Sequence, residues 1–225
     1  MPVISIIIPT LNEVEGLPGT LAVLQTVRGH GVEVIVVDGG SIDTTCESTE
    51  GLVDKLVFSP TGRALQLNKG AEVAEGQLLL FLHADTLLPS VAIQQIKDSS
   101  ELEKPCWGRF EVKLNGKHIA FRVIEKMMNM RSCLTGIVTG DHAMFVSKVL
   151  FEQVKGYPNI ELMEDVALSK VLKTHTPPIC LKTAVLTSVR RWQSFGIYKT
   201  VWLMWSLRLR YFFNADPSEL SKLYR

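Results

Sequence analysis

The fold is decided by the opening stretch ISIIIPTLNE, residues 4–13, in which a β-branched apolar run ends at a polar turn. Val32–Val37 and Gln77–Leu82 are further short apolar runs bounded by turn residues. Such runs are typical of strands buried on both faces of a parallel sheet. Helical patterns occupy the intervals, over Val14–Val27 and Gly62–Ala74. The order β-α-β-α-β predicts an α/β fold with right-handed crossovers, whose ligands bind beyond the carboxyl ends of the strands.

The second half of the chain adds shorter elements to this unit. The turn signal Asn115-Gly116 follows an alternating pattern that is typical of a half-buried strand. No linker or internal repeat separates the halves, so we expect a single domain over residues 1–225. The predicted elements are strands at Trp107–Leu114, Ala143–Val146 and Ile179–Leu186 and a helix at Asp165–Lys173.

The composition is that of an ordinary globular protein, with 225 residues, 46% hydrophobic, 21% charged and a net charge of +1. A near-neutral chain has no overall field that would gather nucleic acid. Four widely spaced cysteines with no Cys-x-x-Cys pair argue against structural zinc. The first residues lack the basic region of a signal peptide, which predicts a cytoplasmic protein with reduced thiols.

Charge and aromatic residues concentrate at the C-terminal end. Residues 187–225 hold seven basic and two acidic residues, a net charge of +5, so the rest of the chain carries −4. Within this tail, Phe195–Phe213 forms a helical pattern that is apolar around most of its circumference but too short to span a membrane. Three interpretations stay open: packing on the domain's own core, a homodimer interface, or an interfacial helix at the inner face of the membrane.

Polar residues follow the first two predicted strands. The turn Pro9–Glu13 contains no glycine, which weakens a dinucleotide-binding interpretation, because that fold needs close backbone approach to a pyrophosphate. Asn12 and Glu13 could instead hydrogen-bond a nucleoside directly, although Asn12 could equally cap the following helix. Asp38 ends the second strand, where a carboxylate can accept from a base N–H or a ribose hydroxyl.

His83 and Asp85 end the third strand at positions i and i+2, which place both side chains on one face. Imidazole and carboxylate ligands suit Mn²⁺ or Mg²⁺, with a nucleotide diphosphate supplying the remaining ligands. On this spacing alone, a hydrogen-bonded structural histidine is the more frequent occurrence.

Taken in order, these blocks resemble family 2 inverting glycosyltransferases with the GT-A fold. The likeness covers about residues 3–213 and is closest to small bacterial members with a Leu-His-Ala-Asp block. It rests on Ile6–Glu13, Val36–Asp43, Gly62–Ala71, Leu80–Asp85, Gly140-Asp141, Met163–Asp165 and Arg190–Trp192.

This resemblance implies a central, mostly parallel twisted sheet flanked by helices, with a C-terminal aromatic and basic helix. Residues 1–88 would bind the nucleotide sugar, 89–192 would form the acceptor side, and 193–225 would be a helical extension. The enzyme would be of the hexosyltransferase type, with a UDP-linked sugar as donor and a lipid-linked or small-metabolite acceptor.

The resemblance also implies residue roles on the donor side. Asp85 would bind Mn²⁺ or Mg²⁺ and the diphosphate together with His83, which stands where the wider family has Asp. The residues expected to contact the nucleotide are Pro9, Asn12, Glu13, Asp38, Gly39 and Arg63.

On the acceptor side, the resemblance makes Asp165 the general base, next to Glu164. At the start of a helix its carboxylate is stabilised by the N-terminal dipole. Arg191 would neutralise the leaving diphosphate and Trp192 would stack on the acceptor sugar. Asp141 would face the acceptor or the diphosphate, or else cap a turn.

Two other functions remain as alternatives. A nucleotidyltransferase would need a glycine-rich basic first loop for a triphosphate, which Pro9–Glu13 does not provide. A non-catalytic nucleotide-sugar binding or membrane-recruited assembly protein would be compatible with His83 in place of Asp and with the aromatic tail.

Overall fold

The structure is a computed structural model that describes residues 3–100 and 104–224. Its strands are β1 (Ile4–Thr10), β2 (Val32–Asp38), β3 (Lys55–Phe58), β4 (Leu78–Phe81), β5 (Thr86–Leu87), β6 (Trp107–Leu114), β7 (Phe145–Ser147) and β8 (Ile179–Thr187). Its helices are α1 (Leu17–Leu24), α2 (Arg63–Val73), α3 (Ala92–Ser99), α4 (Ile119–Thr135), α5 (Lys148–Gln153), α6 (Glu164–His175), α7 (Arg190–Phe195), α8 (Ile197–Phe212) and α9 (Pro217–Tyr224).

The strands form one mixed sheet in the order β3-β2-β1-β4-β7-β6-β8-β5. β1 is parallel to β2 and β4, and β2 is parallel to β3. β7 is antiparallel to β4 and β6, whereas β8 is parallel to β6 and antiparallel to β5. The carboxyl ends of β1, β2 and β4 therefore meet at one edge, where the polar turns of the sequence come together.

Both faces of the sheet are buried. Along β1, Ile6 and Ile8 pack in the layer of α1 and α3, whereas Ile7 packs in the layer of α2. All three side chains are fully buried, which explains why the strand is nearly all apolar. At Gly70 of α2, an added Cβ would lie 2.4 Å from Cγ2 of Ile7, so the helix rests directly on the strand.

The predicted α/β fold, with a sheet flanked by helices, is confirmed. The sheet is parallel from β3 through β2 and β1 to β4 and mixed beyond β4, because β7 enters against the direction of its neighbours. The turn at Asn115-Gly116 leads into α4, and β6 pairs with both β7 and the distant β8.

The expectation of reduced thiols is wrong for two of the four cysteines. Cys133 in α4 and Cys180 in β8 form a disulfide with Cα atoms 6.0 Å apart, while Cys46 and Cys106 are free. The bonded pair is separated by 47 residues, and only the packing of α4 on β6, next to β8, brings it together.

The aromatic C-terminal helix is present as α8, which begins at Ile197. Gly196 has a positive φ of 84° and separates α8 from α7. α8 buries Thr200 and Leu207 but leaves its aromatic side exposed, so that side does not pack on the domain's own core. Among the described residues, no helix has the length and apolar character needed to cross a membrane.

Candidate active site

A cavity of about 780 Å³ opens where the carboxyl ends of the first strands face α4, α7 and α8. Eight residues that the sequence predicts as site residues line it together: Pro9, Glu13, Arg63, His83, Asp85, Asp141, Arg191 and Trp192. Pro9 and Trp192, which are 183 positions apart in the chain, thus reach one space through the fold. A strand-end cavity with converging charged groups is the kind of place where α/β proteins bind ligands.

The centre of the cavity holds an ion-pair group that sequence reasoning missed. Arg190 places Nη2 2.6 Å from Oε2 of Glu13 and 3.6 Å from Oδ2 of Asp85. Burial and the charge of Glu13 raise the pKa of Asp85, against the attraction of Arg190. The sequence analysis assigned the diphosphate to Arg191, but it is Arg190 that contacts the strand-end carboxylates, and only its adjacency to Arg191 signals this.

His83 is a neutral imidazole beside Asp141. Its Nδ1 lies 3.5 Å from Oδ1 of Asp141, and burial, together with the charge of Arg63, lowers its pKa well below the usual value. Its Nε2 is buried, has no hydrogen-bond partner within the described part of the chain and lies against Gly140, where an added Cβ would be 2.3 Å away. Burial also raises the pKa of Asp141, with Arg63 opposing and Asp165 reinforcing the shift.

Glu164 and Asp165 open α6 beneath the main cavity. Glu164 is buried and pairs with Arg63, Oε1 to Nε 3.2 Å, and burial and the neighbouring Asp165 raise its pKa to about 7. Asp165 accepts the backbone N–H of Gly140 at 2.7 Å and that of Val166 at 2.6 Å. Both carboxylates border a narrow space that shares Arg63 and His83 with the main cavity, so Asp165 is near its floor but does not line it.

The loops after β1 and β2 are tied to each other rather than to the cavity wall. Asn12 has a positive φ of 53°, accepts the N–H of Ile42 at 2.9 Å and donates its own N–H to Ser41 at the same distance. It does not cap α1, which begins at Leu17. Asp38 accepts two backbone N–H groups of its own loop, including that of Ser41, at 2.8 Å.

Asp38 is also nearly fully buried, which raises its pKa, but the hydrogen bonds from Ser41 and Gly40 outweigh this and keep the pKa below the usual value. Gly39 lies against Gln66, which leaves no room for a Cβ. The Asn12, Asp38 and Gly39 positions therefore build the loop edge next to the cavity and do not line it themselves.

The C-terminal segment closes another side of the cavity. The guanidinium of Arg191 donates to the backbone carbonyl of Tyr224 and lies 3.6 Å from the centre of that ring. Trp192 makes an edge contact with Phe121, ring centres 6.4 Å apart. Both predicted residues line the cavity, but each is also held by a neighbour.

The wall formed by α4, α7 and α8 is largely apolar, although Arg131 and Arg208 also line it. Its apolar side chains are Ile124, Met127, Met128, Met130, Phe195, Val201, Met204 and Trp205. The cavity therefore joins a charged end at the strand ends to a largely apolar end between α4 and α8.

Comparison with known proteins agrees with this geometry. Residues 5–150, more than half of the chain, match the family model described as Glycosyl transferase family 2. The chain belongs to glycosyl transferase family 2. The predicted resemblance is thereby confirmed.

The curated relatives of this family 2 chain align with only part of it. It is 36% identical over 94 residues to a PGL/p-HBAD biosynthesis glycosyltransferase of Mycobacterium bovis, covering 39% of this chain and 37% of that protein. It is 34% identical over 103 residues to an uncharacterized glycosyltransferase of Haemophilus influenzae, covering 42% and 41%. The alignments span about two fifths of these relatives.

Solved structures show the same fold. S. aureus TarS 1-349 in complex with UDP superposes with a TM-score of 0.68 at 18% identity, covering 84% of this chain and 61% of that one. The mannosyltransferase PcManGT from Pyrobaculum calidifontis, in complex with GDP-Man and Mn²⁺, gives 0.66 at 19% identity, covering 92% and 61%. At these identities the likeness concerns the fold alone.

The donor atoms of the family 2 site fit a divalent cation only in combination with a ligand. Within residues 3–100 and 104–224, no three His, Cys, Asp or Glu side chains are grouped closely enough to hold a metal ion. Asp85 and Asp141 nonetheless line one cavity, and His83 adds a neutral nitrogen beside them. Mg²⁺ is commonly bound by one or two carboxylates together with substrate phosphates, and this donor set matches that pattern.

Proposed function

We propose that this family 2 chain transfers a sugar from a UDP-linked donor to an acceptor hydroxyl, with inversion at the anomeric carbon and with Mn²⁺ or Mg²⁺. The observation that carries the proposal is the cavity in which Glu13, Asp85 and Arg190 converge at the strand ends, next to an acidic pair at the start of α6. The family membership and the UDP and UDP-GlcNAc complexes of TarS support a nucleotide-sugar donor.

The nucleotide part of the donor would lie along the edge formed by the loops after β1 and β2. Pro9 and Glu13 line the cavity there, while Asn12, Asp38 and Gly39 shape the loops. The diphosphate would then face the guanidinium groups of Arg63 and Arg190. These cations lie where negative charge grows as the nucleotide leaves.

Asp85 would hold the divalent metal, with Asp141 and His83 as neighbouring donor groups. When bound, such a cation neutralises charge on the departing diphosphate. Arg190 now pairs with Asp85, so binding of metal and diphosphate would require this arginine to exchange its carboxylate partner for phosphate oxygens. Its planar fork of donors suits either partner.

Asp165 would take the proton from the acceptor hydroxyl. In a single displacement the acceptor oxygen forms its bond to the anomeric carbon as the bond to the diphosphate breaks, on the opposite face, which inverts the centre. Backbone N–H groups of Gly140 and Val166 fix the carboxylate of Asp165 in place, and Glu164 holds Arg63 beside it. A carboxylate positioned in this way can act as general base.

The acceptor would approach from the apolar side of the cavity, past Trp192. A lipid-linked compound or a small metabolite with an exposed hydroxyl group would fit this approach. The protein would act in the cytoplasm, free or at the inner face of the membrane, with Phe195–Phe213 available for membrane contact or for a homodimer.

An Asp165→Asn variant tests the assignment of the base. We expect turnover of a UDP-sugar to fall by roughly 100- to 10,000-fold, the usual contribution of a general base, while binding of the donor is retained. Turnover can be followed by release of UDP, and donor binding by calorimetry. The exposed Asp98→Asn on α3 is the matched control and should behave as wild type.

Three other outcomes would change the conclusion. Wild-type turnover by Asp165→Asn, with loss of turnover in Asp141→Asn, would move the role of base to Asp141, which lines the cavity directly. Binding of UDP-sugars with no metal-dependent turnover by wild type would favour the non-catalytic alternative. Absence of a response to any UDP-sugar would count against the donor.

A further inference from the structure

Two helices on the same side of the molecule each expose an apolar stripe. The side chains of both stripes repeat at intervals of three or four residues, so each stripe follows one helix face. Their exposed fractions run from 44% to 79%. The stripe of α4 is Ile119, Val123, Met127, Met130 and Leu134, and that of α8 is Tyr198, Trp202, Trp205, Leu209 and Phe212; together they are called the α4–α8 face.

The α4–α8 face borders the proposed catalytic cavity. Met127 and Met130 of α4 and Trp205 of α8 belong to the exposed stripes and to the cavity wall at the same time. Phe195 of α7 is also about half exposed and lines the cavity. Apolar side chains of the cavity wall therefore also belong to the outer surface.

The polar residues around this face are basic. α8 carries Lys199, Arg208 and Arg210 and no acidic residue, and Lys126 is exposed on α4. Around the axis of α8, the exposed Lys199 and Arg210 lie together along one edge of the apolar stripe, and the half-buried Arg208 lies along the other edge. Large contiguous apolar patches with polar rims mark interaction sites, and this one has a cationic rim.

We propose that the α4–α8 face docks on the surface of a bilayer that contains anionic lipids. Trp and Tyr prefer the headgroup level, and basic side chains beside an apolar stripe meet anionic headgroups. A second copy of the chain is a poorer occupant, because it would bring the same cations of α8 and no acidic residue of α8 to pair with them. The bilayer satisfies both the apolar stripes and the charge.

Docking in this orientation would set the apolar side of the cavity against the lipid. An acceptor carried on a membrane amphiphile could then enter between α4 and α8 with its hydroxyl group directed at the charged end. This consequence for the acceptor rests on the proposed function, whereas the docking itself rests only on the α4–α8 face.

The test is flotation of the full chain with two kinds of vesicle, phosphatidylcholine alone and phosphatidylcholine with about one third phosphatidylglycerol. We expect wild type to float with the anionic vesicles, and less with neutral vesicles or in high salt. The fraction of a Trp202→Ser/Phe212→Ser variant that floats should be lower than that of wild type by roughly tenfold or more. Neither residue lines the cavity, so the variant's binding of a UDP-sugar should match wild type.

A Val91→Ser/Val149→Ser variant is the matched control, because both valines are more than half exposed and lie outside the α4–α8 face. Val91 lies beside α3, and Val149 lies on α5. It should float as wild type does. The proposal is overturned if wild type stays at the bottom with anionic vesicles, if the α8 variant floats equally well, or if light scattering shows a wild-type dimer that the α8 variant dissociates. If wild type did not turn over any UDP-sugar, the proposed function would be overturned but the docking proposal would stand, since flotation is measured without donor.

Discussion

Glu164 is a buried carboxyl group whose ion-pair partner is Arg63, an arginine that also lines the main cavity. Because its pKa is raised from 4.5 to about 7, the carboxyl group changes charge in the range where the enzyme would work. Above that pH the anion neutralises the guanidinium of Arg63. Below it the carboxyl group is protonated, and the charge of Arg63 is free to attract a diphosphate.

We therefore expect wild type to bind a UDP-sugar more weakly as the pH rises through about 7, by roughly tenfold for a charge pair at this depth. A Glu164→Gln variant should keep the tighter binding across the whole range, because its side chain cannot ionise. Calorimetry from pH 5.5 to about 8.5 measures both curves, and a UDP-sugar is preferred to UDP because its diphosphate diester does not titrate there. The same pH dependence in both proteins would assign it to another group.

The sequence predicts which side chains meet in the site where their position at the end of a strand determines it. Glu13 and Asp85 follow strands that the pattern identifies, and parallel strand ends meet at one edge, so their approach could be foreseen. Arg190 could not, because its contact with Glu13 spans 177 residues and depends on how β8 joins the sheet. The raised pKa of Glu164 likewise depends on burial that no local pattern contains.

At the scale of elements, α2 and β1 show how closely a helix can approach the sheet that carries the site. Gly70 is buried in the middle of α2, and a Cβ there would come within 2.4 Å of Ile7 and 3.0 Å of Val37. Both neighbours are β-branched, stiff and fully buried, so they have little room to move. The glycine is thus required by the contact and not by the backbone conformation.

A Gly70→Ala variant should lower the free energy of unfolding by roughly 1–3 kcal/mol, the usual range for overpacking. Gly19→Ala is the matched control: this residue is exposed in α1 with nothing within 4 Å of an added Cβ, so it should be neutral or stabilise by about 0.5–1 kcal/mol. Urea unfolding measures both differences. Equal stability of Gly70→Ala and Gly19→Ala would mean that α2 can shift away from the sheet without loss.

The sequence did not reveal α4 and β5, each for its own physical reason. α4 has an outward stripe that is as apolar as its inward side, since Phe121 is buried while Ile119 and Val123 are exposed, and this blurs the helical period. β5 has only two residues, too few to form a pattern. The same exposed apolar residues that obscure the helical period of α4 form its half of the proposed docking face.

At the scale of the whole molecule, the C-terminal segment is a wall of the cavity and not an appendage to it. Arg190 pairs with Glu13 in the first turn, Arg191 donates to Tyr224, and Trp205 lines the cavity together with side chains of α4. The +5 tail and the acidic strand ends thus meet inside the cavity. Because the positive charge of the C-terminal segment and the negative charge of the rest of the chain nearly cancel, the net charge alone does not indicate this pairing.

The disulfide between Cys133 and Cys180 joins α4, a wall of the cavity, to β8, the strand that leads to Arg190. A bridge across 47 residues removes conformational entropy from the unfolded chain, which corresponds to about 4 kcal/mol in the chain-entropy model. Cys133→Ser should therefore unfold at lower urea concentration than the oxidised wild type, and a reducing agent should bring wild type down to the level of the variant. The matched control is Cys46→Ser, at a free cysteine, which should keep the full response to the reducing agent.

Titration of unfolded, unreduced wild type should find two thiols. A count of four thiols would show that the bridge does not form, and so would a loss of stability on reduction that is equal in Cys133→Ser and wild type. In either case, α4 would be held to β8 by packing alone.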